Sequence, residues 1–332
     1  MPDDRSVPSV LSIGTFDGVH RGHQALIHRA REIADRHPGA RVIALVFKPN
    51  PLEVLRPEQA PPRLSMFEQR KQWILAAGAD EVVRLEPTPE FLAETPEQFV
   101  RWCVEKFNPI AFVEGDDFHF GRARAGTNAV LAEFGRLLGF TVDVVPTRTV
   151  ALTDHQYVPA RSTIVRWLLT SGRARDAAIV LGRPYELNGT VVRGDRRGRT
   201  IGFPTANLEI STLIPADGIY AAAAHLPDGR ALPAALSVGT KPTFGTHART
   251  AEAFILQPDV DTRTWVPIAG LPEYGWQLRL ELLAWVREQV RFDSLPALLE
   301  QMERDCQRCH SIATKHLSVS SAPRPSPQEI LA

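Results

Sequence analysis

Val10-Leu11-Ser12-Ile13-Gly14-Thr15-Phe16-Asp17-Gly18-Val19-His20-Arg21-Gly22-His23 is the stretch whose reading decides the N-terminal half of the chain. An apolar run of β character breaks into a glycine-rich turn. Residues 24–35 then carry helical periodicity, with Leu26, Ile27, Ala30, Ile33 and Ala34 on one face. Strand, phosphate-sized loop and helix start thus follow one another directly. The unpaired N–H groups of a helix start, with the positive end of its dipole, favour an anion. Gly22 lets the backbone approach such a ligand, and His20 and His23 can offer ring N–H donors to the same phosphates. A bare H-x-G-H could equally be a turn with two exposed histidines; the flanking strand and helix favour a nucleotide site.

Working outward, strands predicted at 41–47, 81–85, 111–114 and 141–145 alternate with helices predicted at 65–77, 96–107 and 128–138. Ser65-Met66-Phe67-Glu68 and Thr95-Pro96-Glu97-Gln98 read as capping boxes, Gly78 and Gly139 as helix stops. This alternation predicts an α/β fold with a doubly wound parallel sheet, whose ligands bind beyond the carboxyl ends of the strands. After about residue 184 short apolar runs with glycine and proline turns take over, at 187–192, 219–226, 234–238, 251–256 and 277–283. They predict a small antiparallel β-barrel. A C-terminal helix is expected from 295 to 309. Domains are expected at 1–182 and 183–312, with 313–332 a disordered tail that ends rich in serine and proline.

A chain of 332 residues is too long for one ordinary core. Its 38 Lys+Arg balance 38 Asp+Glu, so no global field attracts nucleic acid or an anionic membrane, and neither is an expected partner. Nothing in the sequence reads as a transmembrane helix or signal peptide. Three cysteines suit a reducing cytoplasm, the expected location, better than a disulfide framework.

Four further segments carry chemistry. Gly115-Asp116-Asp117-Phe118-His119-Phe120-Gly121 sets a carboxylate between glycines at a strand end, beside two aromatics that suit either a flat ring ligand or the core. In Ser162-Thr163-Ile164-Val165-Arg166, hydroxyls at a helix start and an arginine one turn on can grip a triphosphate, although Ser162 alone reads as an N-cap. Gly194, Gly198 and Gly202, at spacing four, make a loop able to approach phosphates through backbone N–H groups. Thr205 and Asn207, just after Pro204, are short oxygen donors suited to Mg²⁺ and its phosphates. Glu252 interrupts an apolar strand, as a general base or as an outward-facing strand residue. Cys306-Gln307-Arg308-Cys309-His310 matches the haem attachment pattern C-x-x-C-H, but falls in the predicted terminal helix and reads as incidental. It also offers too few ligands for zinc.

In this order, these segments resemble the motifs of the bacterial bifunctional riboflavin kinase/FMN adenylyltransferases, the FAD synthetases; the resemblance spans nearly the whole chain before the tail. It implies that the barrel phosphorylates riboflavin to FMN and that the N-terminal domain joins FMN to ATP, giving FAD and pyrophosphate. Glu252, His20, His23 and Arg166 would then be catalytic. ATP and its phosphates would be met by Gly14, Asp17, Gly22, Asn50, Ser162, Thr163, Gly194, Gly198, Arg199 and Gly202. Asp117, Phe118, Phe120 and Asn207 would bind flavin, and Thr205 and Asn207 would hold Mg²⁺, with ATP as co-substrate and no tightly bound prosthetic group. Four positions depart from the family pattern: Asn50 stands where a histidine is usual, His119 for arginine, Arg161 for serine and Lys241 for asparagine. The stretch 257–272 is also longer than the family's short hairpin. Asn50 and Arg161 leave open an alternative, a riboflavin kinase whose adenylyltransferase domain is weak or inactive.

Overall fold

The computed structural model describes residues 7–194, 203, 205–241, 246–257 and 268–320. The chain forms two compact units, residues 1–162 and 163–332. In the first, the elements run β1 (Ser9–Gly14), α1 (Arg21–Ala34), β2 (Arg41–Phe47), α2 (Pro51–Leu55), α3 (Phe67–Ala76), β3 (Glu81–Leu85), α4 (Pro89–Leu92), α5 (Pro96–Phe107), β4 (Pro109–Gly115), β5 (His119–Phe120), β6 (Gly126–Thr127), α6 (Asn128–Leu138), β7 (Thr141–Val145), β8 (Thr149–Ala151) and β9 (Tyr157–Pro159). The parallel sheet has the order β3-β2-β1-β4-β7. Its central strands are apolar on both faces because both are covered: Val10, Val42 and Val113 pack with Ile27 and Ala30 of α1, while Leu11, Ile43 and Phe112 pack with Val100 of α5 and Leu131 of α6.

The strand order reverses between β1 and β4, and there the two strands part. The β1–β2 ladder runs to Gly14–Val46, whereas the β1–β4 ladder stops at Leu11–Phe112. Such a switch point is where open α/β sheets place their ligands. Just beyond the last rung, buried Glu114 accepts the Ile13 N–H at 2.9 Å, and burial pushes its carboxyl well above the usual carboxylate range.

The predicted strands and helices of this unit are present, with shifted starts: α1 begins three residues earlier than its periodicity and β4 two residues earlier than its apolar run, while α3 begins later. α3 begins at Phe67, its N-cap is Met66, and Gln69 rather than Glu68 closes back on the N-cap N–H at 2.9 Å. Ser65 is engaged elsewhere, as described below.

The second unit holds α7 (Ser162–Thr170) from its second residue, α8 (Ala174–Leu181), β10 (Tyr185–Val192), β11 (Ala206–Ile210), β12 (Gly218–His225), β13 (Ala231–Lys241), β14 (Thr246–Ile255), β15 (Gln277–Arg287) and α9 (Leu295–Ser320). The strands close into an antiparallel barrel, β10-β11-β14-β13-β12-β15. Leu169 accepts the Ala216 N–H at 2.9 Å, and α8 packs on β10 and β15, so these helices group with the barrel. The expected end of the terminal helix needs correction: α9 continues through Ser320, so residues 313–320 belong to a helix and not to a tail. Its apolar face carries on past Cys306 and Cys309 through Ile312 to fully buried Ala313. Residues 321–332 lie outside the described residues.

α9 is also fastened by charge. On β15, Glu281 lies 3.1 Å from His225 Nε2, 3.0 Å from His316 Nε2 of α9 and 2.9 Å from the Arg279 guanidinium. Burial raises its pKa, but His225, His316 and Arg279 outweigh that and bring it from 4.5 to about 2. A carboxyl depressed by folding stabilises the native state above its unfolded pKa and loses that contribution as pH falls through the folded value. Glu281→Gln should therefore lower the melting temperature at pH 7, and the gap from wild type should close between pH 4.5 and pH 2. Thermal unfolding across that range is the measurement, and a gap independent of pH would refute the account.

Candidate active sites

The loop between β1 and α1 is conformationally costly. Phe16 (φ +49°), Gly18 (φ +77°) and Val19 (φ +39°) occupy the left-handed region, and Phe16 and Val19 are buried. For a residue with a Cβ this costs about 1–2 kcal/mol, so the surroundings must hold the loop. They do so from distant parts of the chain. The Asp17 carboxylate accepts the N–H groups of Leu64 (3.0 Å) and Ser65 (3.1 Å) and the Ser65 hydroxyl (3.1 Å). Ser65 Oγ in turn accepts the Gly18 N–H at 2.9 Å. The buried Arg70 guanidinium donates to the carbonyls of Thr15 and Phe47, tying the ends of β1 and β2. Gln24 donates to the Val19 carbonyl at 2.8 Å, and Ser162 Oγ to the Asp17 carbonyl at 2.8 Å.

The loop leads into a helix crowned by two imidazoles. His20 is the N-cap of α1, its Nδ1 accepting the His23 N–H at 3.3 Å, so the neutral ring carries its hydrogen on Nε2. The His20 and His23 rings stack with centroids 3.7 Å apart at 21°. Between them, a Cβ on Gly22 would stand 2.7 Å from the Ala160 carbonyl oxygen. The backbone approach expected at Gly22 is therefore real, but it is made by the protein's own chain.

Two phosphate candidates turn out to have internal tasks. Asp17 spends its carboxylate on Leu64 and Ser65. Asn50 is the N-cap of α2: its Oδ1 accepts the Leu52 N–H at 3.0 Å, and Glu53 accepts the Asn50 N–H at 3.2 Å. Only the Asn50 Nδ2 amino group remains to meet a phosphate. Of the two aromatics, Phe120 is a core residue, 5.8 Å from Phe99 and pressed against Gly126. Phe118 is half-buried and stacks on Phe120 at 5.5 Å and 18°. Asp117 is exposed, 3.3 Å from the Arg161 guanidinium, which also donates to Thr147 Oγ1 at 3.1 Å. Consecutive residues Arg161 and Ser162 thus fasten the aromatic turn and the β1–α1 loop. Thr163 and Arg166 lie on α7, within the second unit.

In the barrel, Asn207 of β11 stands opposite Glu252 of β14. Thr205 Oγ1 donates to Glu252 Oε2 at 2.9 Å, and Thr250 Oγ1 lies 3.3 Å from Oε1. A Cβ on Gly194 would fall 2.1 Å from Asn207 Nδ2, so only glycine lets that amide lie flat on the backbone. The structure therefore gathers Gly194, Thr205, Asn207 and Glu252. Ala251 and Ala253 are buried, while Glu252 sits half-buried on the opposite face with Phe254. The outward-facing reading has the direction right, but the carboxylate is oriented by the Thr205 hydroxyl, with Thr250 Oγ1 placed between it and the Gly239 carbonyl. Gly198, Arg199, Gly202 and 258–267 of the long stretch lie outside the described residues. The hydroxyl and amide oxygens of Thr205 and Asn207 are hard donors of the kind Mg²⁺ accepts alongside phosphates and water. Among the described residues no three of His, Cys, Asp and Glu are grouped to hold a metal. A cavity of about 460 Å³ elsewhere in this unit is lined by Trp285 with Asp217 and Glu288, charges that disfavour a phosphate.

The riboflavin kinase family matches residues 181–313 and the FAD synthetase family residues 3–156. The bifunctional riboflavin kinase/FMN adenylyltransferase of Escherichia coli K12 is 34% identical over 298 residues, 89% of this chain and 90% of that protein. The chain belongs to this bifunctional family. The Bacillus subtilis member is 30% identical over 92% of each chain. A solved structure described as a macrolide-efflux protein from Streptococcus pneumoniae shares the fold, with a TM-score of 0.76 at 26% identity over 94% of this chain and 97% of that one. Among the described residues no helix is long and apolar enough to cross a membrane. In the C-x-x-C-H segment the two cysteines are buried in the core between α9 and the barrel, while His310 is exposed.

Proposed function

We infer that the chain makes two flavin cofactors in succession: the barrel unit phosphorylates riboflavin to FMN, and the parallel-sheet unit adenylylates FMN to FAD. The Thr205–Glu252 hydrogen bond beside Asn207 and Gly194 carries the kinase half. Glu252 takes the proton of the ribityl hydroxyl as its oxygen attacks the γ-phosphorus of ATP and ADP leaves. Thr205 aims that carboxylate. Thr205 and Asn207 would hold Mg²⁺, which supplies charge neutralisation at the phosphates; Asn207 also reaches the flavin side. Gly194, Gly198, Arg199 and Gly202 cradle the phosphates.

In the adenylyltransferase half, an FMN phosphate oxygen attacks the α-phosphorus of ATP in line and pyrophosphate leaves, with no covalent enzyme intermediate. The work is positioning and charge stabilisation. His20, His23 and the α1 N-terminus, with Gly14 and Gly22 at its approach, face the developing charge, and Asn50 adds a donor through Nδ2. Phe118 offers a ring face to the flavin, and Asp117 borders it. Both sets of residues are present, which supports a bifunctional enzyme over a kinase alone. The efflux role named for the pneumococcal structure has no part in this reading.

Incubation of the purified protein with riboflavin, ATP and Mg²⁺, followed by separation of the flavins, tests both halves. FMN should appear first and FAD after it. FMN alone would confine the activity to the barrel, and unchanged riboflavin would remove both assignments.

Modularity follows from the contacts of α8. A fragment starting at Thr163 should fold and make FMN. One starting at Arg183 loses buried Ala177, Val180 and Leu181, and removing a buried valine or leucine side chain costs about 1.5–3 kcal/mol. The shorter fragment should show a lower melting temperature and soluble yield. Equal stability of the two would refute the grouping of α8 with the barrel.

A further inference from the structure

The loop carrying His20 and His23 is held in a left-handed course at Phe16, Gly18 and Val19 by partners far away in sequence. Two of the side chains that hold it also hold each other. The Asp17 carboxylate spans the start of α3, taking two backbone N–H groups and a hydroxyl. The Ser65 hydroxyl does two things at once: it donates to Asp17 Oδ1 and accepts the Gly18 N–H. Asp17 and Ser65 are 6% and 1% exposed, so both groups are removed from solvent and their geometry is set by each other. A hydroxyl with its donor committed on one side and its acceptor on the other has a single orientation.

We propose that Asp17 and Ser65 are positioning residues for adenylyl transfer, a latch that fixes the backbone and imidazole donors of the β1–α1 loop where charge develops on the phosphates. This rests on the adenylyltransferase reading of that loop. Neither residue touches substrate. Donors fixed before reaction cost no reorganisation at the transition state, so loosening them lowers the rate of the step more than the affinity for ATP. A phosphate- or metal-contacting Asp17 would behave in the opposite way.

The test is steady-state FAD formation by the full chain carrying Ser65→Ala, Asp17→Asn or both. Each single variant should lose roughly 10- to 100-fold in kcat, with the KM for ATP within roughly threefold of wild type. The double variant should lose far less than the product of the two, because both remove one device. Amide exchange across β1 and β2 reports whether the sheet is intact. If Ser65→Ala disturbs it, Asp17→Glu, which keeps the charge but lengthens the arm, should give the same kcat loss. A tenfold or greater rise in KM for ATP in Asp17→Asn with Ser65→Ala silent would overturn the proposal, as would wild-type kinetics in both. His23→Ala separates the two levels: unimpaired FAD formation there would remove the site itself, whatever Ser65 does.

Discussion

Glu252→Gln will lower riboflavin phosphorylation by roughly two to four orders of magnitude, the usual contribution of a positioned general base. Glutamine keeps the length and shape of the side chain, and its Oε1 can still accept from Thr205 as Glu252 does at 2.9 Å. Its amino group can face Thr250, whose hydroxyl turns to accept. What disappears is the negative charge and the capacity to receive a proton. The loss should fall on kcat, with riboflavin binding retained, since the interaction removed exists only as the ribityl oxygen gives up its hydrogen. FAD formation from supplied FMN reads the other unit and should be unchanged. Turnover of riboflavin within threefold of wild type would return Glu252 to the role of an ordinary half-buried strand residue.

Gly22→Ala should be nearly as damaging to the other reaction. The added methyl would meet the Ala160 carbonyl oxygen at 2.7 Å and the His20 ring at 3.1 Å. Neither neighbour can yield freely: Ala160 is backbone just after β9, and His20 caps α1 and stacks on His23. Relief requires the start of α1 to move away, and it takes both histidines with it. Overpacking of this kind costs about 1–3 kcal/mol of stability, and a misplacement near 1 Å can cost roughly 100-fold in rate. FAD formation should drop by about that factor while riboflavin phosphorylation is retained. A variant with full FAD formation would show that the α1 start tolerates movement, and the positional argument for His20 and His23 would fail with it.

Most of the architecture was legible because it is written in local patterns. The buried runs of β1 and β2, the Thr95–Gln98 capping box and the glycine stop at Gly139 each act over a few residues, and all appear where expected. Long-range partners were not legible. Ser65 looks like the N-cap of a helix, but Asp17, 48 residues earlier, claims its hydroxyl and N–H. The N-cap then falls one residue later, on Met66. α9 outlasts its predicted end because the barrel supplies a surface for Ile312 and Ala313 and a carboxylate for His316, none of it visible in a serine-containing segment. Asn50 is a different case. Asn50-Pro51-Leu52-Glu53 carries the local marks of a helix start, with proline at the first turn and glutamate at the third position. That signal is local and stands in the sequence itself. Within the sites, residue types and order were readable, as with Thr205 and Glu252, but the aim of each side chain was not.

The cysteines beneath α9 give the barrel a built-in clock. Burial pushes the Cys306 and Cys309 thiols up to about 12, and it is the thiolate that attacks an alkylating reagent and displaces its leaving group. At neutral pH these sulfurs are therefore shielded twice, by packing and by protonation. Their labelling has to wait for the helix to lift from the strands, so the rate of thiol capture in the native protein measures how often that helix lets go.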